Sequence, residues 1–192
     1  MDRLSDMEPA RAEPPRLTYE DFLAFPADGR RHELVDGEHV VTPSPDARHQ
    51  DVAGRLFLAL GSFIEHHPVG KVYFAPLDVI LSDTDVVQPD ILFVSSARSE
   101  IVRDWVHGAP DLAVEVISPS SRRLDETEKR ALFDRFGVRE YWIVDPEREI
   151  VKVYRRAKAG AFPRVAELRE AGDILDTPLL PGFAIPLRRL FA

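Results

Sequence analysis

The sequence predicts a single α/β domain built around a mixed sheet, and three observations carry that prediction. Short apolar runs rich in β-branched residues, such as ILFVS (91–95) and LAVEVI (112–117), have the length and composition of buried strands. Between them lie stretches whose apolar residues recur at helical spacing, notably over 47–66 and 125–136. The 192 residues suffice for a substantial core, and 44% hydrophobic with 30% charged content is that of a globular protein. Strands and helices interleaved in this way imply layers packed on one sheet.

Residues 1–16, Pro-rich, charged and aperiodic, are expected to be a flexible N-terminal tail, leaving 17–192 as the domain. In LTYEDFLAF, Thr18 can cap a short helix carrying Phe22, Leu23 and Phe25. HELVDGEHVV reads as a hairpin, because Asp36-Gly37 suits a two-residue type I′ turn, and this register sets Glu33 opposite Val40. Val52, Leu56, Leu60, Phe63 and Ile64 mark a helix from about Ala47 to His66, with His66-His67 complementing its C-terminal dipole. KVYFAPLDVIL and ILFVS follow as strands joined through SDTDVVQPD, whose DTD lacks the Gly and distal Glu of a calcium loop. A helical or irregular link leads to the strand DLAVEVIS. The next helix is expected to start on Asp125 as N-cap, with Glu128 three residues on and Gly137 ending it. EYWIVD and IVKVYRR are two further strands about the turn signal PERE, and PGFAIPLRRLF closes the domain with a short helix.

Composition removes several chemistries. The chain has no cysteine, which excludes disulfides and thiolate metal sites and fits a cytoplasmic protein. Its six histidines show no zinc spacing, and there is no Gly-rich phosphate loop or nucleophile elbow. No stretch approaches the roughly 18 apolar residues of a membrane helix, and the N-terminus lacks the apolar segment of a secretory signal. A net charge of −8 argues against a nucleic-acid coat protein but not against an enzyme with a local basic patch.

Glu115 is the first residue that asks for chemistry. It stands inside the apolar run of DLAVEVIS, where an ionised carboxylate is costly unless a cation meets it. Asp90 opens the apolar strand of VVQPDILFV, 25 residues earlier. If the strands are neighbours, the two acids can converge on one hard divalent cation such as Mg²⁺. The alternative is structural, with Asp90 capping a turn and Glu115 paired to an arginine. A paired-acid glycosidase is disfavoured, because the lysine described next has no role there.

In SRRLDETEKRALFDRFG, residues Asp125, Lys129, Leu132, Phe133 and Phe136 fall on one helical face. Lys129 thus occupies the stripe that should be apolar, in a chain with four lysines against 21 arginines. A compact ammonium there can hold a phosphate or a water; otherwise its stem covers apolar surface while the head reaches solvent.

The order HELVDGE, RHQDVAGRL, VVQPDILFV, PDLAVEVISPSS, EKRALFDRFGVREYWIVD and PGFAIPL resembles the Uma-two family, a restriction-endonuclease-like group within the PD-(D/E)XK nuclease superfamily. The resemblance runs from about residue 17 to the C-terminus. It implies a restriction-endonuclease-like fold, a central mixed β-sheet flanked by helices. It also implies a Mg²⁺-dependent endonuclease, with Mn²⁺ as possible substitute, hydrolysing phosphodiester bonds of nucleic acid, DNA in the first place. Asp90 and Glu115 would be the metal-binding acids. The superfamily lysine, usually two residues after the second acid, is replaced there by Ile117, and the resemblance puts it at Lys129. Glu33 matches a further acid near the metal, or else forms a cross-strand ion pair. Gln88 is expected as polar lining, and His49 as a polar residue at a helix start that could lie near substrate. If the strands meet, Arg30-Arg31 and Arg122-Arg123 would rim the site and contact phosphates; otherwise they are solvated arginines on loops. A homodimer is expected, its contact supplied in part by Phe183, Ile185, Leu187, Leu190 and Phe191. The alternative function is a catalytically inactive nuclease-fold domain serving interaction or oligomerisation.

Overall fold

The computed structural model describes residues 15–158 and 160–192. Residues 1–14, most of the expected tail, lie outside the described residues. The described chain opens with α1 (Tyr19–Phe22), where Thr18 and Asp21 form a reciprocal capping box. Strands β1 (Arg31–Val35) and β2 (Glu38–Thr42) make the expected hairpin, with Glu33 opposite Val40. Asp36 and Gly37 both have positive φ, as a type I′ turn requires. Helix α2 spans Ala47–His66, capped by Asp46. Both His66 and His67 reach helix carbonyls through Nδ1, at Ser62 and Phe63 respectively.

KVYFAPLDVIL is not one strand. Pro76, which has no backbone N–H to offer a ladder, separates β3 (Gly70–Phe74) from β4 (Val79–Ser82), and the two join different sheets. The expected link SDTDVVQPD also contains a strand, β5 (Asp85–Val87). Asp85 is a buried node rather than a loop residue: it accepts from the Asp36 N–H and from Ser82 Oγ and pairs with Arg135. Then come β6 (Ile91–Ser95), a 3₁₀ helix (Ser96–Ile101), β7 (Val106–His107) and β8 (Leu112–Val116).

The following helix begins before Asp125. The Arg122 and Asp125 amides already donate to the Ser118 and Ser121 carbonyls, so Asp125 is not its N-cap. Leu124–Lys129 winds as a wide π turn and continues as α3 (Arg130–Arg135). A π turn frees carbonyls from the ordinary ladder, and here side chains take them: Tyr141 Oη donates to the Asp125 carbonyl and Arg130 Nε to that of Glu126. Strands β9 (Glu140–Asp145) and β10 (Ile150–Arg155) form as expected. The sequence reading had no counterpart for β11 (Arg164–Leu168), β12 (Ile174–Asp176) or β13 (Ala184–Pro186), and α4 (Leu187–Leu190) closes the fold.

The six-stranded sheet runs β11-β10-β9-β8-β6-β3, with β8 and β9 parallel and the other neighbours antiparallel. Side chains alternate across it. On β8, Leu112, Val114 and Val116 pack against Val52, Leu56 and Leu60 of α2 and the C-terminal segment. Ala113, together with Ile117 just beyond the strand, faces the opposite layer, where Leu132 and Phe133 of α3 meet Val35, Val79 and Val87 of a second sheet ordered β2-β1-β5-β4-β7. Phe183, Ile185, Leu187, Leu190 and Phe191 are buried in the first of these layers. They hold the domain together and are not free to form a dimer contact. No helix among the described residues is long and apolar enough to cross a membrane.

Candidate active site

Strand alternation puts Glu115 on the same side as Ala113 and Ile117, toward α3. The π turn brings Lys129 over the same place, and Nζ lies 2.8 Å from Glu115 Oε1. The same ammonium is 2.8 Å from Glu33 Oε1, which reaches in from β1, and 3.7 Å from Asp125 Oδ1. Glu33 Oε1 also accepts the Gln88 N–H at 2.7 Å, while the Gln88 side chain turns away to Asp78. Glu33, Glu115, Asp125 and Lys129 are at most 2% exposed.

Asp90 ends the loop before β6 and reaches the C-terminal end of β8. Its Oδ2 accepts the Val116 N–H at 2.8 Å and lies 3.1 Å from His49 Nε2; its Oδ1 is 2.9 Å from Arg31 Nη1. His49 is in the first turn of α2, on the stripe continued by Val52 and Leu56. Arg31 is two residues before Glu33 on β1, so both point the same way.

These groups surround a cavity of about 300 Å³, lined by Arg31, His49, Asp90, Glu115, Asp125 and Lys129. Its mouth lies between the 42–46 and 118–121 segments. Glu33 does not line it and sits one layer behind Lys129. Among the described residues no three His, Asp or Glu side chains already converge as a ligand set. The space between Glu33 and Glu115 is held by the lysine.

Charge is unevenly shared. Burial alone would raise the Asp90 carboxyl, but the His49 hydrogen bond, the Arg31 charge and the Val116 N–H outweigh it and hold Asp90 down at about 2. Burial raises Glu115 well above the carboxylate range; Lys129 opposes this, while Asp125, Asp90 and Glu33 add to it. Asp125 is raised to about 6, by burial first, against the pull of Lys129. Burial works against the Lys129 charge, yet Glu115, Glu33 and Asp125 together push its pKa up. One ammonium satisfies itself among several acids, whereas each acid has one ammonium and several like charges.

The structure therefore brings Glu33, Asp90, Glu115 and Lys129 together, and adds Arg31, His49 and Asp125. By its sequence His49 is expected at a helix start; its place three residues before Val52, on the buried stripe, is the signal that it turns inward. Asp125 shares the Lys129 face, but its position suggests a cap. Arg122 is turned to Asp145, Arg123 is paired with Glu128 and exposed, and Arg30 is exposed beside Asp28. Of the expected rim arginines, only Arg31 reaches the site. The oxygen donors fit a hard divalent cation. Two observations support that fit: Glu33, Asp90, Glu115 and Asp125 outnumber Arg31 and Lys129, and Glu33 Oε2 is buried without a partner among the described residues.

The sequence model of the Uma2 family, described as "Putative restriction endonuclease", matches residues 19–188. No curated protein matches the chain. Among solved structures, the chain is similar to the crystal structure of a "putative nuclease belonging to DUF820" from Anabaena variabilis, at 19% identity and a TM-score of 0.78. That match covers 91% of this chain and 97% of the other. Mixed sheet, flanking helices and matched span agree: the fold is restriction-endonuclease-like, and the chain belongs to the Uma2 family.

Proposed function

We propose that the protein is a Mg²⁺-dependent endonuclease acting on phosphodiester bonds of nucleic acid, DNA in the first place, with Mn²⁺ able to substitute. The observation that carries this reading is the surplus of buried carboxylates around Lys129 on the wall of a cavity open to solvent. Asp90 and Glu115 would hold the cation, and Glu33, behind Lys129 with its Oε2 unpartnered, would join as a third oxygen donor once the ammonium moves aside. The chemistry supplied there by a divalent ion would be acidification of a water and polarisation of a phosphoryl oxygen.

The chain's own groups do the rest. Arg31 and His49 keep Asp90 ionised and aimed. Glu33 and Glu115 fix the Lys129 ammonium, which donates to a phosphate oxygen or to the attacking water. The low-dielectric wall strengthens that contact relative to water. Cleavage of supercoiled plasmid and of single strands, with Mg²⁺, with Mn²⁺ and with EDTA, tests the reading. Metal-dependent cutting lost in Asp90→Ala is expected; no cutting and no metal binding by the wild-type protein would overturn it.

A second reading, an inactive domain for interaction or oligomerisation, draws support from the ion pairs that already join Lys129 to Glu33 and Glu115, and Arg31 to Asp90. Melting with and without Mn²⁺ separates the two, since only a metal site gains stability from the ion. The homodimer remains part of the proposal, with an interface other than the buried C-terminal residues, and light scattering tests it.

A further inference from the structure

Behind the Asp90 cluster lies a second cavity, of about 220 Å³, which shares Arg31, His49 and Asp90 with the first. Its far side is made by Gln50, Gly54 and Phe57 of α2 and by Phe74, the last residue of β3. We propose that this cavity holds one unpaired nucleobase of the substrate strand, next to the phosphate at the Asp90–Glu115–Lys129 site. The inference rests on the nuclease reading for its choice of ligand.

Four features point to a base. Phe74 is 61% exposed, in contact with Phe57 edge to face at a ring separation of 4.7 Å. Together the rings present an aromatic wall of the kind on which bases stack. Gln50, exposed on the same helical face, makes no side-chain hydrogen bond within the described protein, so its amide donors and acceptor are free for a base edge. Gly54 stands mid-helix, where glycine costs about 1 kcal/mol relative to alanine, and a Cβ there would meet nothing within 4 Å. No neighbouring protein atom requires that glycine, so the open space beside it is available to a ligand. Finally, the cavity shares Arg31, His49 and Asp90 with the acid site, so the two adjoin across that group, with the Arg31 guanidinium beside Asp90.

A base lying on Phe74 and Phe57 has left its duplex stack. The substrate strand is therefore single-stranded, or opened at the cut, when it reaches the site. Gln50 then chooses among bases, while the aromatic wall accepts any of them.

The test is a fluorescence titration with a short single-stranded oligonucleotide carrying 2-aminopurine, Ca²⁺ replacing Mg²⁺ to keep binding apart from cleavage. The same strand with an abasic site, and the same strand in duplex, are the comparisons. Wild-type protein should quench the probe and prefer the single strand to the duplex. Phe74→Ala and Gly54→Leu should each weaken binding by about 5- to 100-fold, with melting temperatures close to wild type because both positions face solvent. On the abasic strand the variants should bind as the wild type does. Quenching and affinity unchanged in both variants, or an equal loss on the abasic strand, would overturn the base site. Cleavage is scored separately: binding as expected without cutting rejects the nuclease and keeps the base site, and cutting with indifferent variants does the reverse.

Discussion

The Lys129 ammonium stands 2.8 Å from both Glu33 Oε1 and Glu115 Oε1, so a single charge joins the second sheet to the central one. Replacing it with methionine keeps the apolar stem and removes the charge. Cleavage in Lys129→Met should fall by two to three powers of ten, about 2.7–4 kcal/mol of lost electrostatic stabilisation. The apo melting temperature at neutral pH should also fall, because the buried acids lose their partner, and Mg²⁺ should restore part of it. Lys129→Arg should not recover activity fully, since a planar guanidinium does not fit the place of an ammonium. Unchanged cleavage in the methionine variant would return Lys129 to a structural role.

Asp90 and Glu115 should behave oppositely in the absence of metal. Asp90 answers Arg31, His49 and the Val116 N–H, so Asp90→Ala leaves those groups unpaired and should cost about 1–3 kcal/mol. Glu115 faces more carboxylates than cations, and Glu115→Gln should leave apo stability equal or raised. Both should abolish metal-dependent cleavage. Chemical denaturation of the metal-free proteins, alongside plasmid cleavage, checks the pair.

Asp125 sets a pH dependence. Its carboxyl sits at about 6 in the folded protein against 3.8 ordinarily, so protons favour the folded state. That contribution is complete below about pH 4 and is lost as pH rises through 6. Metal-free wild-type protein should therefore lose stability between pH 4 and 7 relative to Asp125→Asn. Divalent-ion affinity should rise over the same interval, as the ion displaces the proton. Melting curves of both proteins across this range, and calorimetric metal titrations, measure it; parallel curves would remove Asp125 from the linkage.

Arg135 closes the far end of the same assembly. It pairs with Asp36 at the hairpin turn and with Asp85 at the start of β5. Because Asp85 is buried, Arg135→Ala should destabilise by about 1–3 kcal/mol, read as a shift in the denaturation midpoint with unchanged slope.

What the sequence made legible followed periodicity and turn chemistry. The hairpin at Asp36-Gly37, α2 and the strands about Glu115 could be read because each needs only local spacing. The division of KVYFAPLDVIL was not read: two strands of like composition can serve different sheets, and only long-range pairing decides which. At the site, Glu115 and Lys129 stood out as charges in apolar patterns. Arg31, His49 and Asp125 did not, because an arginine in a basic pair, a histidine at a helix start and an aspartate before a helix all have ordinary local explanations. Arg31 and Asp125 are brought in by the placement of β1 beside Asp90 and by the π turn, neither of which local spacing encodes; for His49 only the stripe of α2 hinted at burial.

The Arg135 clasp has a mechanical consequence. The hairpin that carries Arg31 and Glu33 is tied at its turn to the helix that carries Lys129, and in the middle of β1 the Lys129–Glu33 pair ties them again. Fastened at two points, hairpin and helix form a truss that resists hinging. The slack needed to admit a polymer backbone then belongs to the 43–46 and 118–121 segments at the cavity mouth, the parts of the rim outside that frame.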